Sequence, residues 1–241
     1  VHIEQVQRGD NFSLEIDQVG HNNLIRFSFN HDDNTLDLFQ YGNNNYIGYT
    51  DIWGSGYNWG GDVDGLGNEL TIKQKCSASS CNENDFQMHV WGDENKVVFG
   101  QGYENGNSLT PNWNYDGTEP GGNFVQLDIH GDGNEFKGSQ KQDSSSINHS
   151  IKAFIYADNN DVFVKQMQNG DKELVLYIYN DDNEVSISQK NNGEHNATIT
   201  LNGSQPTILD LLQRGNTTQN YTLSQNCITT GGCNITVTQG N

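Results

Sequence analysis

The sequence predicts an all-β protein with a single domain, residues 1–241, wound as a β-solenoid of about nine two-strand coils. Three observations support this fold class. Apolar residues recur at a short fixed period, Gly, Asn and Asp recur in the turns between them, and only 32% of the chain is hydrophobic. Because that share is low for a globular protein, stacked repeats with a narrow core fit it better than one large core.

The repeat is clearest in the first fifty residues, where an apolar residue recurs every eleven positions. Side chains two and four residues further on share its face in a β-strand, and the following Gly or Asn tolerates the positive φ of a tight turn. The inward side chains of the first five strands are predicted at Ile3-Gln5-Gln7, Leu14-Ile16-Gln18, Ile25-Phe27-Phe29, Leu36-Leu38-Gln40 and Ile47-Tyr49-Asp51.

Thirteen further strands with small changes of spacing continue the pattern to the end of the chain, which makes eighteen. Their predicted inward side chains are Leu70-Ile72-Gln74, Phe86-Met88-Val90, Val97-Phe99-Gln101, Val125-Leu127-Ile129, Phe136-Gly138-Gln140, Ile151-Ala153-Ile155, Val162-Val164-Gln166, Leu174-Leu176-Ile178, Val185-Ile187-Gln189, Ala197-Ile199-Leu201, Leu209-Leu211-Gln213, Tyr221-Leu223-Gln225 and Ile235-Val237-Gln239.

The third inward position alternates between strands. In every second strand it is glutamine: Gln18, Gln40, Gln74, Gln101, Gln140, Gln166, Gln189, Gln213 and Gln239. In the other strands it is apolar except at Gln7, Asp51 and Gln225. The structural unit is therefore a pair of strands. Stacked units would place the nine glutamines in an inward ladder whose amides hydrogen-bond along the axis, so that buried polar groups are satisfied.

The spacing Q-x-G-x-x-N, as in Gln18-Val19-Gly20-His21-Asn22-Asn23 and Gln40-Tyr41-Gly42-Asn43-Asn44-Asn45, resembles the curlin repeat. The chain looks like an enlarged relative of the curli fibre subunits. That resemblance implies a bacterial protein that is exported unfolded and polymerises outside the cell, at the cell surface or in a biofilm matrix. The chain departs from the family in its long insertions, its cysteines and the many rows that lack the motif Gly.

Two insertions, residues 52–68 and 102–123, interrupt the register. The first follows an odd strand and the second an even one, so we expect them to leave opposite edges of the solenoid. Their aromatic side chains could recognise another surface or stack on a sugar ring, or could instead cover the flank of their own solenoid. These candidate recognition residues are Trp53, Tyr57, Trp59, Trp113 and Tyr115, with Tyr103 beside them.

The four cysteines form two short-range pairs, Cys76/Cys81 and Cys227/Cys233, at matching positions of the repeat. Neither pair has the CxxC spacing of a zinc or thioredoxin site. Both are predicted to be disulfides that clamp a lengthened turn, which indicates an oxidising compartment. The chain starts at Val1 instead of Met, which fits a mature secreted form or a trimmed chain.

The formal charge of −19 argues against nucleic acid and anionic lipid as partners. Basic partners, or divalent cations that bridge acidic surfaces, are more compatible with it, although such a charge also keeps a repetitive chain soluble. No apolar run reaches membrane-spanning length. No cofactor is predicted, and Ca²⁺ is kept as an open alternative because Asp32-Asp33-Asn34, Asp132-Gly133-Asn134 and Asp181-Asp182-Asn183 place acids in turns.

Enzymatic activity is not expected, because no G-x-S-x-G, H-E-x-x-H or phosphate-loop motif occurs. Ice binding is a further alternative, since the outward pairs Thr198/Thr200, Thr222/Ser224 and Thr236/Thr238 resemble a threonine array. The N-terminal half lacks such pairs. A monomeric binding module for carbohydrate, Ca²⁺ or ice is therefore the alternative to a polymer.

The function predicted from the repeat is that of a structural subunit of an extracellular filament. The first coil begins close to Val1 and the last runs to Asn241, so open strand edges are expected at both ends. One subunit's last coil would dock on the next subunit's first coil. Neighbouring filaments, polysaccharide or a cell surface are further possible partners. The junction is predicted at Ile3, Gln5, Gln7, Tyr221, Leu223, Gln225, Ile235, Val237 and Gln239.

Overall fold

The computed structural model describes residues 13–30, 33–48, 61–76, 84–102, 123–141 and 149–240, and all its regular structure is β-strand. Sheet A consists of β1 (Ser13–Val19), β4 (Thr35–Gly42), β7 (Glu69–Cys76), β9 (Lys96–Gln101), β11 (Glu135–Lys141), β13 (Asp161–Met167), β15 (Glu184–Gln189), β17 (Thr207–Gln213) and β19 (Cys233–Gln239). Sheet B consists of β2 (Leu24–Ile25), β3 (Phe27–Asn30), β5 (Asn45–Ile47), β6 (Gly61–Asp64), β8 (Asn84–Trp91), β10 (Asn123–Ile129), β12 (His149–Ile151), β14 (Lys172–Leu174), β16 (His195–Gly203) and β18 (Gln219–Cys227).

The chain alternates between the two sheets, and each strand pairs in parallel with the strand one coil away. This is the β-solenoid that the alternating pattern predicts. The nine strands of sheet A are the nine predicted glutamine-bearing strands. The ten strands of sheet B fill eight rows, because β2 with β3 and β5 with β6 each make one row. The predicted first row, Ile3-Gln5-Gln7, lies outside the described residues.

The core is a narrow strip of inward Ile, Leu, Val and Phe side chains between the sheets. One inward position is glycine, Gly138, and the neighbouring row explains why. A Cβ on Gly138 would lie 2.3 Å from a ring carbon of Phe99, which packs into that space. The large and small residues of adjacent rows therefore compensate each other, as close packing of a narrow core requires.

The glycine of the repeat motif is required by close approach between coils. Gly42 has a φ of 91°, and a Cβ there would lie 1.6 Å from the carbonyl oxygen of Cys76 in the next coil. Since adjacent coils are only ~4.8 Å apart, the turn has no room for a side chain on that side.

The position of the first insertion differs from the prediction. β5 and β6 both pair with β8, so Ile47 lies beside Phe86 and Val63 beside Val90 in one row. A row of sheet B is therefore interrupted between Gly48 and Gly61, and residues 61–68 belong to β6 and the turn after it, so the predicted insertion bounds of 52–68 are wrong at their C-terminal end. The predicted start at residue 52 lies outside the described residues. The third inward position belongs to Val63, which is fully buried, and not to Asp51, since an apolar side chain costs less to bury than a carboxylate. Asp51 itself lies outside the described residues.

The second insertion follows β9, as predicted, and residues 103–122 lie outside the described residues. It leaves at the turn from sheet A to sheet B, whereas the first leaves from within a row of sheet B. The expectation that the two insertions leave opposite edges is therefore wrong. Among the described residues, no helix is present that could cross a membrane.

Two predicted strands are shorter than expected. β12 ends at Ile151 and β14 at Leu174, although the predicted inward residues beyond them, such as Ala153 and Leu176, are fully buried. The backbone there turns left-handed, with φ of 106° at Phe154 and 125° at Ile178. Since consecutive positive φ values break the extended conformation, the inward pattern persists while the regular strand stops.

Candidate functional site

The predicted glutamine ladder is confirmed. Each glutamine amide donates from Nε2 to Oε1 of the glutamine one coil further on, through eight hydrogen bonds of 2.5 to 3.3 Å from Gln18 to Gln239. The seven glutamines between those two are fully buried. The ladder therefore has a single direction along the solenoid.

The second amide hydrogen of each interior glutamine ties the two sheets together. Gln74 Nε2, for example, also donates to the carbonyl oxygen of Tyr46, at 2.8 Å, where the neighbouring sheet B row begins. Equivalent bonds run from Gln40, Gln101, Gln140, Gln166, Gln189 and Gln213. The ladder thus satisfies its own amides and also closes the corner at which each coil passes from sheet A to sheet B.

Two further columns of polar side chains line the corners. The A-to-B column stands where the sheet B rows begin and contains Asn23, Asn45, Asn84, Asn123, His149, Lys172, His195 and Gln219. The B-to-A column stands before the sheet A strands and contains Asn34, Asn68, Asn95, Asn134, Asn160, Asn183, Thr207 and Cys233.

Within each run of asparagines, every residue bonds to the asparagine next to it, whereas the buried Oδ1 of Asn123, which precedes His149, has no hydrogen-bond partner among the described residues. Asn134, for instance, donates its backbone N–H to Asn95 Oδ1 at 2.9 Å and its Nδ2 to the carbonyl oxygen of Ala157 at 2.6 Å. The sequence interpretation assigned these residues to turns and missed the columns. The signal was present, because each column residue stands two positions before the first inward residue of a strand.

In the second half of the A-to-B column, basic residues replace asparagine. Lys172 is fully buried, and its ammonium group donates to the carbonyl oxygens of Asn169, Gly170, Asn191 and Gly193. Burial lowers the pKa of Lys172 to about 8. The charge is thus held by backbone dipoles inside the corner, a compact arrangement that depends on the turns around it.

Histidines lie on either side of Lys172 and are also fully buried. His149 Nε2 lies 3.0 Å from the carbonyl oxygen of Gln168, and His195 Nε2 lies 2.7 Å from that of Lys190, so Nε2 carries the proton in both. Burial, followed by the nearby Lys172, lowers the pKa of His149 to about 3, and burial also lowers the pKa of His195. Both rings are therefore neutral near pH 7.

The disulfide Cys227–Cys233 is confirmed, with its Cα atoms 5.9 Å apart, and it closes the turn between β18 and β19. Cys76 is also disulfide-bonded, while its predicted partner Cys81 lies outside the described residues. Cys76 ends a strand of sheet A and Cys227 a strand of sheet B. The two lengthened turns are therefore at different corners, although their positions in the repeat match.

Two of the turn acids predicted as possible Ca²⁺ ligands, Asp132 and Asp181, stand in one column with Asp93 and Asp158. Oδ1 of Asp132 accepts the backbone N–H of Asp93 at 2.7 Å, Asp158 that of Asp132 at 2.8 Å, and Asp181 that of Asp158 at 3.1 Å. These carboxylates thus stabilise the turns. Within the described ranges, no group of three or more metal-ligating side chains is present; Asp32 lies outside those ranges.

The outward threonine pairs do not form one array. Thr198/Thr200 and Thr222/Ser224 stand in adjacent rows of sheet B, whereas Thr236/Thr238 stand in β19 of sheet A. An ice-binding surface needs a flat regular array, and the third pair is on the other face of the solenoid.

The aromatic residues of the insertions, Trp53, Tyr57, Trp59, Trp113 and Tyr115, lie outside the described residues. The structure instead shows an aromatic face on the outer side of sheet B that the sequence interpretation missed. It consists of Trp91, His130, Phe154, Tyr156, Tyr177 and Tyr179, whose rings contact one another across four rows. Phe154 and Tyr177 are stacked 5.0 Å apart and Tyr156 and Tyr179 5.2 Å apart.

A buried carboxylate anchors this aromatic face. Asp128 is fully buried, its Oδ1 lies 2.6 Å from His130 Nε2, and its Oδ2 accepts a hydrogen bond from the Tyr156 hydroxyl at 2.8 Å. Burial and the bond to Asp128 raise the pKa of Tyr156 above its ordinary value. The hydroxyl therefore stays protonated and keeps the ring oriented.

The residues of the last coil that the sequence assigns to a subunit junction lie at inward positions of β18 and β19. Tyr221, Leu223, Ile235 and Val237 continue the core strip, pack on it from one side and are only half-buried. Gln225 follows Leu201 in its sheet B column, and Gln239 ends the glutamine ladder. The other predicted junction residues, Ile3, Gln5 and Gln7, lie outside the described residues.

Comparison with known proteins gave no matching family model, no matching curated protein and no matching solved structure. The resemblance to the curlin repeat therefore depends on the spacing of Gln, Gly and Asn alone. The structure gives that spacing a physical meaning, because Gln18 with Asn23, and Gln40 with Asn45, are members of the hydrogen-bonded columns.

Proposed function

We propose that the chain is the structural subunit of an extracellular filament in which solenoids stack head to tail. The observation that carries this proposal is the direction of the glutamine ladder. At its start, Gln18 Oε1 is buried and has no hydrogen-bond partner among the described residues. At its end, Gln239 Nε2 donates to the carbonyl oxygen of Asn220, which leaves its second hydrogen for another acceptor.

A second copy placed on the last coil would continue both sheets. Its β1 would pair with β19, and Gln239 would donate to the copy's Gln18 in the direction of the existing ladder. The half-buried Ile235 and Val237 would meet the copy's half-buried Leu14 and Ile16. Completing the burial of a side chain of this size contributes up to about 1.5–3 kcal/mol.

By the sequence prediction alone, the strand Ile3-Gln5-Gln7 of the copy would then pair with β18, opposite Tyr221, Leu223 and Gln225; these first residues lie outside the described ranges. Because the contact joins two different surfaces and displaces each copy along the solenoid axis, it repeats without closing, and the product is a filament. The location outside a bacterial cell and a part in biofilm cohesion or adhesion belong to this proposal. The disulfide Cys227–Cys233 supports an oxidising compartment.

The proposal is tested with a charge placed in the junction. Val237→Lys puts an ammonium group on the half-buried end of the core, where stacking would bury it, whereas Thr238→Lys puts the same charge on the exposed outer face. Negative-stain electron microscopy after dilution from denaturant should show unbranched filaments with a ~4.8 Å axial repeat for the unchanged chain and for Thr238→Lys.

Val237→Lys should remain a folded monomer with the β circular dichroism of the unchanged chain. Filaments of ordinary length from Val237→Lys, or monomers from the unchanged chain, would contradict head-to-tail stacking. Equal loss of filaments in both lysine variants would mean that net charge governs assembly and that the end of the core does not.

A further inference from the structure

The outer face of sheet B changes abruptly between two adjacent rows. Tyr177 and Tyr179 lie in the row of β14, with rings 6.0 Å apart and 11° from parallel. On one side these rings stack on Phe154 and Tyr156. On the other side the row of β16 has Thr200 and Asn202 at the matching positions, and Tyr179 is 45% exposed. The aromatic rows therefore end in a step.

The step offers two kinds of contact that bind sugar rings, namely aromatic stacking and hydrogen bonding. Its wall is made of the two tyrosine rings, and an aromatic ring attracts the apolar face of a pyranose. Its floor is made of small polar side chains in the rows of β16 and β18, which include Thr198, Thr200 and Ser224. Hydroxyl groups there can both donate to and accept from sugar hydroxyls.

A cavity of about 320 Å³ lies on the same face, where the rows of β14, β16 and β18 begin. Its lining includes Glu173 and Glu194, both exposed, together with Asp171. Glu173 stands four positions before Tyr177 in one row, so the cavity and the step are parts of one surface. Lys172 also lines the cavity, but its ammonium group donates to four backbone carbonyl oxygens, and the three carboxylates outnumber it. The surface is therefore favourable for a cationic ligand and unfavourable for an anionic one.

We propose that this surface, formed by the tyrosine step and the adjacent cavity, binds a polysaccharide of amino-substituted pyranoses. The pyranose rings pack against Tyr177 and Tyr179, and the protonated amines of the sugars face Glu173 and Glu194. The site lies on the side of the solenoid and not at its ends, so one bound chain can run across a filament without entering a subunit junction.

The test measures binding of two probes, a glucosamine hexaose and cellohexaose, to the full chain by isothermal titration calorimetry at mildly acidic pH. The glucosamine hexaose should bind more tightly, because only it carries amines. Tyr177→Ala with Tyr179→Ala should weaken binding of that probe about tenfold. Phe163→Ala, which removes a half-buried outward ring from sheet A, is the matched control and should leave the affinity unchanged.

Glu173→Gln with Glu194→Gln separates charge from shape. These changes should weaken the glucosamine hexaose about tenfold and leave any binding of cellohexaose unchanged, since the amides keep the size of the side chains. Equal affinity for the two probes, no binding of either, or equal losses in the tyrosine and Phe163 variants would overturn the proposal.

A second copy of the chain is the competing occupant of the step. Filaments of the tyrosine variant would then lose side-by-side bundling in electron micrographs while the affinity for the glucosamine hexaose stayed the same, and that result would also overturn the proposal. The binding measurement can be repeated on Val237→Lys. A folded monomer that still binds the probe separates this site from the proposed assembly.

Discussion

The two halves of the A-to-B column satisfy the hydrogen bonds of their polar side chains in different ways. In the first half, Asn23, Asn45, Asn84 and Asn123 bond to one another, so each residue provides the partner of the next. In the second half, His149, Lys172 and His195 occupy the same position and bond to backbone carbonyl oxygens. Both halves are buried in one corner of one fold.

The difference shows what a repeated amide achieves. An amide has a donor and an acceptor, so a stack of identical amides is satisfied at every row whatever its length. An ammonium group has donors alone, and a neutral imidazole has one of each in a fixed geometry. The second half therefore needs carbonyl oxygens from the surrounding turns, and it contains groups that change charge with pH.

The largest expected effect is a loss of folding stability at low pH, which should come from the second half of the column and not from the first. The pKa of His149 is about 3 in the folded chain against an ordinary value of 6.5, so the unfolded chain takes up the proton first as the pH falls. Stability from this group is complete above pH 6.5 and is lost between pH 6.5 and 3, by about 5 kcal/mol. Urea unfolding of the monomeric Val237→Lys chain across this range measures the loss.

His149→Asn should reduce that acid sensitivity, because asparagine restores the amide used by the first half of the column. His21→Asn is the control, since His21 is exposed on a turn. If the stability of the His149→Asn variant falls with pH as steeply as that of the His21→Asn variant, His149 is not the group that couples folding to pH.

The continuous glutamine ladder should be sensitive to interruption in its middle. Gln140→Leu removes the acceptor of Gln101 Nε2 and the donor to Gln166 Oε1, both inside the core. Gln101 Nε2 keeps the carbonyl oxygens of Asp85 and Asn123, but Gln166 Oε1 is left buried without a partner, which costs about 2 kcal/mol. Gln18→Leu likewise removes the donor to Gln40 Oε1, but it also removes the buried Gln18 Oε1 that already has no partner among the described residues, so its net cost should be below about 1 kcal/mol.

Both values come from urea unfolding of the same monomeric background. Equal losses at the two positions would show that the ladder is satisfied locally, by the backbone carbonyl oxygens, and that the bonds between glutamines add little.

The sequence predicted those features of the fold that depend only on the regular spacing of residues. Spacing of two within a strand identifies the buried face, and the alternation of glutamine with apolar residues identified sheet A and its ladder. The spacing could not show that the first insertion splits a row. Asp51 had the expected offset from Ile47, and only the pairing of β6 with β8 reveals that Val63 takes the position.

The aromatic face was missed for a related reason. Phe154, Tyr156, Tyr177 and Tyr179 occupy outward positions, where single aromatic residues have little meaning. They form a surface only because two successive sheet B rows are in register with an offset of 23 residues. The hydrogen bond between Asp158 and Asp181 has the same offset. The step beyond Tyr179 depends in turn on the small side chains of the next row, a feature of the stack and not of any one segment.

The B-to-A column ends in a disulfide, whereas the A-to-B column ends in Gln219. Removing this disulfide should change the free energy of unfolding by no more than acid or Gln140→Leu does. After Asn183 the column continues to Thr207 and then to Cys233, so the disulfide Cys227–Cys233 stands where the asparagine bonds have stopped. Cys227→Ser with Cys233→Ser removes a cross-link that closes a short loop, and should cost about 2 kcal/mol in urea unfolding.

Reduction of Cys227–Cys233 should give the same loss when both treatments are compared in a Cys76→Ser, Cys81→Ser background, since reduction would otherwise also break the disulfide of Cys76. A clearly larger loss in the serine variant would mean that the buried Cys227 side chain stabilises the end coil by packing, because reduction keeps that side chain while both treatments remove the cross-link.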